Sequence, residues 1–169
     1  MDLPQKFDEN EWFILVSLLI GFLIIWRLPK RFPTIISVLL ALFISAVSKI
    51  VDHILSGSMK IDFYDFNDSN ASEIFDLLLQ WFLYPVIGYL LIYWYEYSRE
   101  KGKNRLLLIV FIIILSTLYE ALSVKFGVFY FKGWISYFSL GFYSFAFPLT
   151  LVYYHFLNKW YQNRSFARQ

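Results

Sequence analysis

The sequence predicts an all-α integral membrane protein, a compact five-helix transmembrane bundle with its N-terminus outside and its C-terminus in the cytoplasm. Three observations carry that expectation. Of 169 residues, 59% are hydrophobic and 17% charged, with a mean hydropathy of +0.53, against about 45–50% apolar and about 25% charged in soluble domains. The apolar residues lie in long blocks divided by charge clusters. The clusters, finally, divide by sign between the two sides of the chain. With no cysteine, the composition excludes a secreted disulfide scaffold and a thiolate metal site. It equally excludes a disordered tail and a nucleic-acid binder.

A hydrocarbon core of about 30 Å needs about 20 apolar residues per helix. The first span covers about 12–28 and is stopped by Arg27, Pro29, Lys30 and Arg31. Asp8, Glu9 and Glu11 precede it and the basic cluster follows, the reverse of a cleavable signal peptide. The second covers 33–55, with Pro33 suited to a helix start. The third covers 72–95, with Ser72 as N-cap ahead of Glu73 and Ile74. The fourth covers 106–124 and the fifth 134–157. Short connections suit one domain over residues 1–169, with sequential neighbours packed antiparallel.

Orientation follows from the cations. Arg27, Lys30, Arg31, Arg99, Lys101, Lys103, Arg105, Lys159, Arg164 and Arg168 fall on one side, ten of the fifteen basic residues. Only Glu96 and Glu100 oppose them there, a net of +8; the other side holds five cations and eleven anions, a net of −6. The positive-inside rule therefore puts the N-terminus out and the C-terminus in. The six tryptophans fall in pairs on spans 1, 3 and 5 (Trp12 and Trp26, Trp81 and Trp94, Trp134 and Trp160), as interfacial indoles do. The longest connection, Ser56 to Ala71, carries Lys60, Asp62, Asp65 and Asp68 on the outer side. Its glycosylation sequons at Asn67 and Asn70 are three-residue patterns that arise often by chance.

Span 2 carries a seam of small and polar residues on one face: Thr34, Ser37, Ala41, Ser45, Ser48, Asp52 and Ser56. Such seams mark helix contacts in lipid; a polar substrate track is the sharper reading. Ionisable residues within spans point to function, and here they share a depth. At 1.5 Å per residue, Lys49 lies about 24 Å above the inner boundary, Gln80 about 22 Å and Glu120 about 21 Å. Asp52 and His53 are a turn above Lys49, and Tyr84 a turn below Gln80. The expected cluster is Glu120, Lys49, Gln80, Asp52, His53 and Tyr84, in the outer leaflet. Ser116, Glu120 and Ser123 share one face of span 4, and Asp76, Gln80 and Tyr84 one face of span 3. A sealed Lys49–Glu120 ion pair fixing helix register and a site open to the outer leaflet both fit this pattern.

Pro85 and Pro148 should kink spans 3 and 5 by freeing the carbonyls of Trp81 and Ser144. His53 and His155 fall on opposite sides, against a metal site, and no cofactor fingerprint appears. From Phe126 to Tyr161, 16 of 36 residues are aromatic, which reads as packing and interface belt.

Within Tyr119–Tyr143 the chain reads Tyr119-Glu120, Gly127 and Gly133-Trp134, an E-x6-G-x6-W pattern, with Val128-Phe129-Tyr130-Phe131 between and Ser136-Tyr137-Phe138-Ser139 after. This stretch resembles an uncharacterised family of small multi-span membrane proteins of Gram-positive spore-forming bacteria. The resemblance implies a multi-pass protein of a bacterial plasma membrane and marks Glu120, Gly127 and Trp134. It brings no activity with it.

Three functions compete. The first is a non-enzymatic accessory or binding module, with the lipid bilayer around it and a membrane-protein partner or second copy beside it. The second is a small oligomeric transporter or channel; an odd span number, no repeat and charges away from mid-membrane count against it. The third is a membrane enzyme on lipid or isoprenoid substrates, with Glu120 as proton donor.

Overall fold

The computed structural model of the chain describes residues 7–55, 63–66 and 74–166. Among them, five helices are long and apolar enough to cross a membrane. They are α1 (Glu9–Arg27), α2 (Thr34–Leu55), α3 (Ile74–Glu100), α4 (Arg105–Lys125) and α5 (Ser136–Phe166). Two short strands, β1 (Tyr64–Phe66) and β2 (Phe129–Phe131), pair antiparallel, with Asp65 opposite Tyr130. This ribbon is an addition to the all-helical expectation. Ser56 of the α2 seam, Lys60, Asp62 and Asp68, both sequons, Ser72, Glu73, Arg168 and the side chain of Arg164 lie outside the described residues.

Helix ends follow local chemistry more closely than the apolar blocks do. The acidic run before the first span is itself helical, because Glu11 reaches back to accept the Asp8 N–H at 2.7 Å. Asn104 caps α4 by accepting from the N–H groups of Leu106 at 3.0 Å and Leu107 at 3.2 Å. Helices α3 and α4 stop in the same way. Gly102 and Gly127 adopt φ of +63° and +70°, while the N–H groups of Lys103 and Val128 reach back to Ser98 and Ser123 carbonyls, both at 2.9 Å. A left-handed residue with that five-residue return bond is a Schellman stop, and glycine takes it without a Cβ clash. Charged turns carry α3 to Glu100 and α5 to Phe166, beyond the expected 95 and 157, and Trp134 precedes α5 instead of opening it.

The Pro85 kink takes a definite form. Residues Leu79–Leu83 make a π-helical turn immediately before it, in which the Tyr84 N–H reaches the Leu79 carbonyl. The wider turn absorbs the missing donor of the proline. Helix α5 runs through Pro148.

Sequential packing fails at one place. Helix α1 lies on α3 and not on α2, where Gly21 meets Val86 so closely that a Cβ would sit 2.6 Å from Val86 Cγ1. Helix α2 packs on α3 and α5, and α4 on α5 and α3. One core joins Ile14, Leu18, Phe75, Leu79, Leu83 and Val128 near the ribbon. The other, at the opposite end, centres on Phe32, Ile36, Leu40, Ile92, Leu151 and Tyr154. Around both, large apolar side chains such as Leu106, Leu107, Phe111, Leu118, Phe145 and Phe156 face outward, a surface suited to lipid and not to water. At the far end Arg31 clamps the α1–α2 connection to α3. Its Nη1 lies 2.6 Å from Glu100 Oε1 and its guanidinium is 5.0 Å from the Tyr93 ring centre. The hydrogen bond to Glu100 raises the Arg31 pKa further.

Candidate functional site

The seam of α2 brings Asp52 inside the bundle, 8% exposed. Both its oxygens accept from neutral donors. Tyr64 Oη, from β1, donates to Oδ1 at 2.7 Å, and Gln80 Nε2 donates to Oδ2 at 2.9 Å. Gln80 sits in the π turn, so the irregularity set by Pro85 belongs to the same polar cluster. Gln80 is 1% exposed, and its Oε1 has no hydrogen-bond partner. Burial first, then the neighbouring Asp52 charge, pushes the Tyr64 phenol well above its ordinary value, which keeps it a donor.

Glu120 on α4 is held in a parallel way. Tyr143 Oη donates to Oε2 at 2.8 Å, and Ser139 Oγ donates to Oε1. Ser139 in turn accepts the Trp134 indole N–H at 2.7 Å. Ser139 and Tyr143 are four apart on α5 and so present one face to the carboxylate. The chain reaches this arrangement through Gly127. The Schellman stop there turns α4 into β2, β2 pairs with β1, and the Phe63 carbonyl accepts the N–H groups of Lys132, Gly133 and Trp134 at 2.8, 3.1 and 3.2 Å. Trp134 then packs on Phe63 and Tyr64, with ring centres 5.9 and 6.0 Å apart.

The two carboxylates border one cavity of about 580 Å³, lined by all five helices and both strands. At the ribbon end its wall holds Asp52, Glu120, Tyr64, Tyr84, Tyr143 and Trp134. Farther down it is bordered by apolar side chains such as Ile24, Ile44, Val47, Leu91 and Phe147. Ser48 and Thr150 also line it, but each hydroxyl is turned to a carbonyl of its own helix.

Four of the six expected residues come together. Asp52, Tyr84 and Glu120 line the cavity, and Gln80 stands behind Asp52. Ser116 and Ser123 line it too, as their shared face with Glu120 requires. Lys49 and His53 are exposed, and neither lines the cavity. Among the described residues Lys49 makes no ion pair with Glu120, whose oxygens are occupied by α5. The reason is rotation. On α2 the cavity face runs through Ile44, Ser48, Val51 and Leu55, with Asp52 at its edge, and Lys49 lies about 60° beyond Asp52, away from the cavity, at 100° per residue. Equal depth fixes the rise along a helix, not the direction.

Reading the sequence missed Tyr64, Ser139 and Tyr143. A spacing of four on α5 was the available signal for the last two. Tyr64 lies in a three-residue strand of the long connection, where no periodicity marks it. Among the described residues no group of three or more His, Cys, Asp or Glu side chains is placed to hold a metal ion. Comparison with family models, curated proteins and solved structures finds no match.

Proposed function

We propose that the protein is a non-enzymatic, five-span membrane module, N-terminus out and C-terminus in, that binds an amphipathic ligand. The observation that carries this reading is the division of one cavity into a polar end and a long apolar remainder. Such a wall matches a molecule with a compact headgroup and a hydrocarbon tail. Ile20 and Ile24 of α1 and Leu115 of α4 line the cavity and are exposed at its flank, which favours access from the bilayer. The charge division along the chain favours the outer leaflet for the polar end, and the resemblance of Tyr119–Tyr143 favours a bacterial plasma membrane.

A binding module fits better than a conducting path. Below the cavity Phe32, Ile36, Leu40, Ile92, Leu151 and Tyr154 pack into a closed core, and the Arg31–Glu100 clamp lies at that end. Native mass spectrometry of the protein purified in a mild detergent tests the proposal. A retained amphiphile is expected on the wild type and not on Ala146→Trp, which fills the cavity from α5. A wild type that retains nothing and gains no thermal stability from added lipid extract would refute it.

A further inference from the structure

The polar end of the cavity sets two carboxylates among neutral hydroxyls and one indole. Among the described residues, Asp52 and Glu120 are the charged residues of its wall, and no lysine or arginine lines it. Lys49 is exposed, about 60° round α2 from Asp52 and off the cavity wall, and Lys132 is engaged with Asp65 at 2.8 Å. The four groups that hold the carboxylates, Tyr64, Gln80, Ser139 and Tyr143, are neutral. They spread the negative charge without cancelling it. Each carboxylate oxygen has a second lone-pair direction beyond the bond it accepts.

Two further polar groups at this end are unengaged among the described residues. Gln80 Oε1 is buried without a hydrogen-bond partner beside Asp52. The Tyr84 hydroxyl lies on the cavity wall and makes no hydrogen bond among the described residues. A buried acceptor without a donor is costly and uncommon in folded proteins, so Gln80 Oε1 behind Asp52, together with the open lone pairs of the two carboxylates on the cavity wall, favours donors supplied from outside the chain. Around them stand the rings of Tyr64, Phe129, Phe131 and Trp134, whose faces attract a cation.

We infer that the ligand is an amphipathic primary amine, whose ammonium group sits between Asp52, Glu120 and Tyr84 under the ribbon rings while its tail lies along the apolar part of the cavity. This rests on the amphipathic-ligand reading and narrows it to a charge type. An ammonium brings three N–H donors for the open lone pairs and one positive charge, and among the described residues the wall has no cation of its own. Among the described residues, a phosphate or carboxylate headgroup would meet two carboxylates and no cation. A lipid with an amine headgroup and a free long-chain amine share this chemistry.

The test uses the full chain in a nonionic detergent, with dodecylammonium, dodecanol and dodecyl phosphate as probes below their micellar concentrations. Binding is read by calorimetry and by thermal shift. Dodecylammonium should bind at least about tenfold more tightly than dodecanol, and dodecyl phosphate more weakly than either. Asp52→Asn and Glu120→Gln should each remove most of the preference for the amine. Either change can disturb folding, so Tyr84→Phe is the companion variant: its hydroxyl makes no hydrogen bond among the described residues, and its loss should weaken dodecylammonium about threefold or more, at unchanged thermal stability. Nanodiscs of phosphatidylethanolamine mixed with phosphatidylglycerol separate the two sources. Selective retention of phosphatidylethanolamine marks a membrane lipid, and amine preference without it marks a free amphipathic amine. Equal affinity for dodecanol and dodecylammonium overturns the amine inference and leaves the amphipathic site standing; failure of every probe to bind overturns both.

Discussion

Trp134 reaches Glu120 through a single hydroxyl. The indole N–H donates to Ser139 Oγ at 2.7 Å and Ser139 donates onward to the carboxylate, so an aromatic of the β2–α5 connection is tied to an acid on α4. Two of the three positions in the E-x6-G-x6-W pattern thus meet in space, and the third, Gly127, makes the turn between them.

The relay gives the first prediction. Ser139 is completely buried, and Ser139→Ala removes an acceptor from Trp134 and a donor from Glu120 at once. The expected cost is about 1–3 kcal/mol, measured as thermal stability in detergent. Trp134→Phe added to Ser139→Ala should cost much less than it does alone, because its partner is already gone. Additive losses would mean that the three groups do not act as a chain.

Lys49 supplies the second prediction. Because it is exposed and apart from Glu120, Lys49→Ala should change stability by no more than about 0.5 kcal/mol, and its effect should add to that of Glu120→Ala. Rescue of Glu120→Ala by Lys49→Ala would restore the buried ion pair that the geometry does not contain.

Much of this site was legible in the sequence, and the limit was directional. Period and spacing put Lys49, Gln80 and Glu120 at one level, Asp52 a turn above and Tyr84 a turn below, and Ser116 and Ser123 on the face of Glu120. They could not say which way Lys49 turns, since helix rotation is set by packing partners such as Gly88 against Ile44. Nor could they pair β1 with β2, whose three-residue strands lie far apart in the chain. Pro85 announced an interruption; that it would be a π turn carrying Gln80 depends on what α2 offers opposite.

Glycine stops differ in what surrounds them, which is the third prediction. A Cβ at Gly102 would meet nothing within 4 Å, whereas one at Gly127 would lie 3.0 Å from Tyr130 Oη. Both alanine variants carry left-handed strain of about 1–2 kcal/mol. Gly127→Ala should be the more destabilising in a thermal melt and should weaken ligand binding, since it lifts the ribbon from Asp52 and Glu120. Equal effects on binding would detach the ribbon from the site.

Topology is the fourth. A reporter active only outside the cytoplasm should work when inserted after Lys132 and fail after Gly102, following the net −6 and +8 of the two sides counted from the sequence. Activity after Gly102 would invert the bundle and move the carboxylates to the inner leaflet.

The last prediction concerns the route to the cavity. The ribbon roofs its polar end, where Asp65 and Tyr130 are cross-strand partners. Directly opposed residues of an antiparallel pair have Cα atoms about 4.5–5.5 Å apart, within reach of a disulfide. The chain has no cysteine of its own, so Asp65→Cys with Tyr130→Cys gives one defined bond that fixes the roof. Access from the bilayer past Ile20, Ile24 and Leu115 does not require the strands to part. Dodecylammonium should therefore bind the oxidised and reduced forms at similar rates in a stopped-flow measurement. A rate that collapses on oxidation and returns on reduction would show that ligands come through the roof. The exposed flank between α1 and α4 would then be lipid-facing surface and no portal.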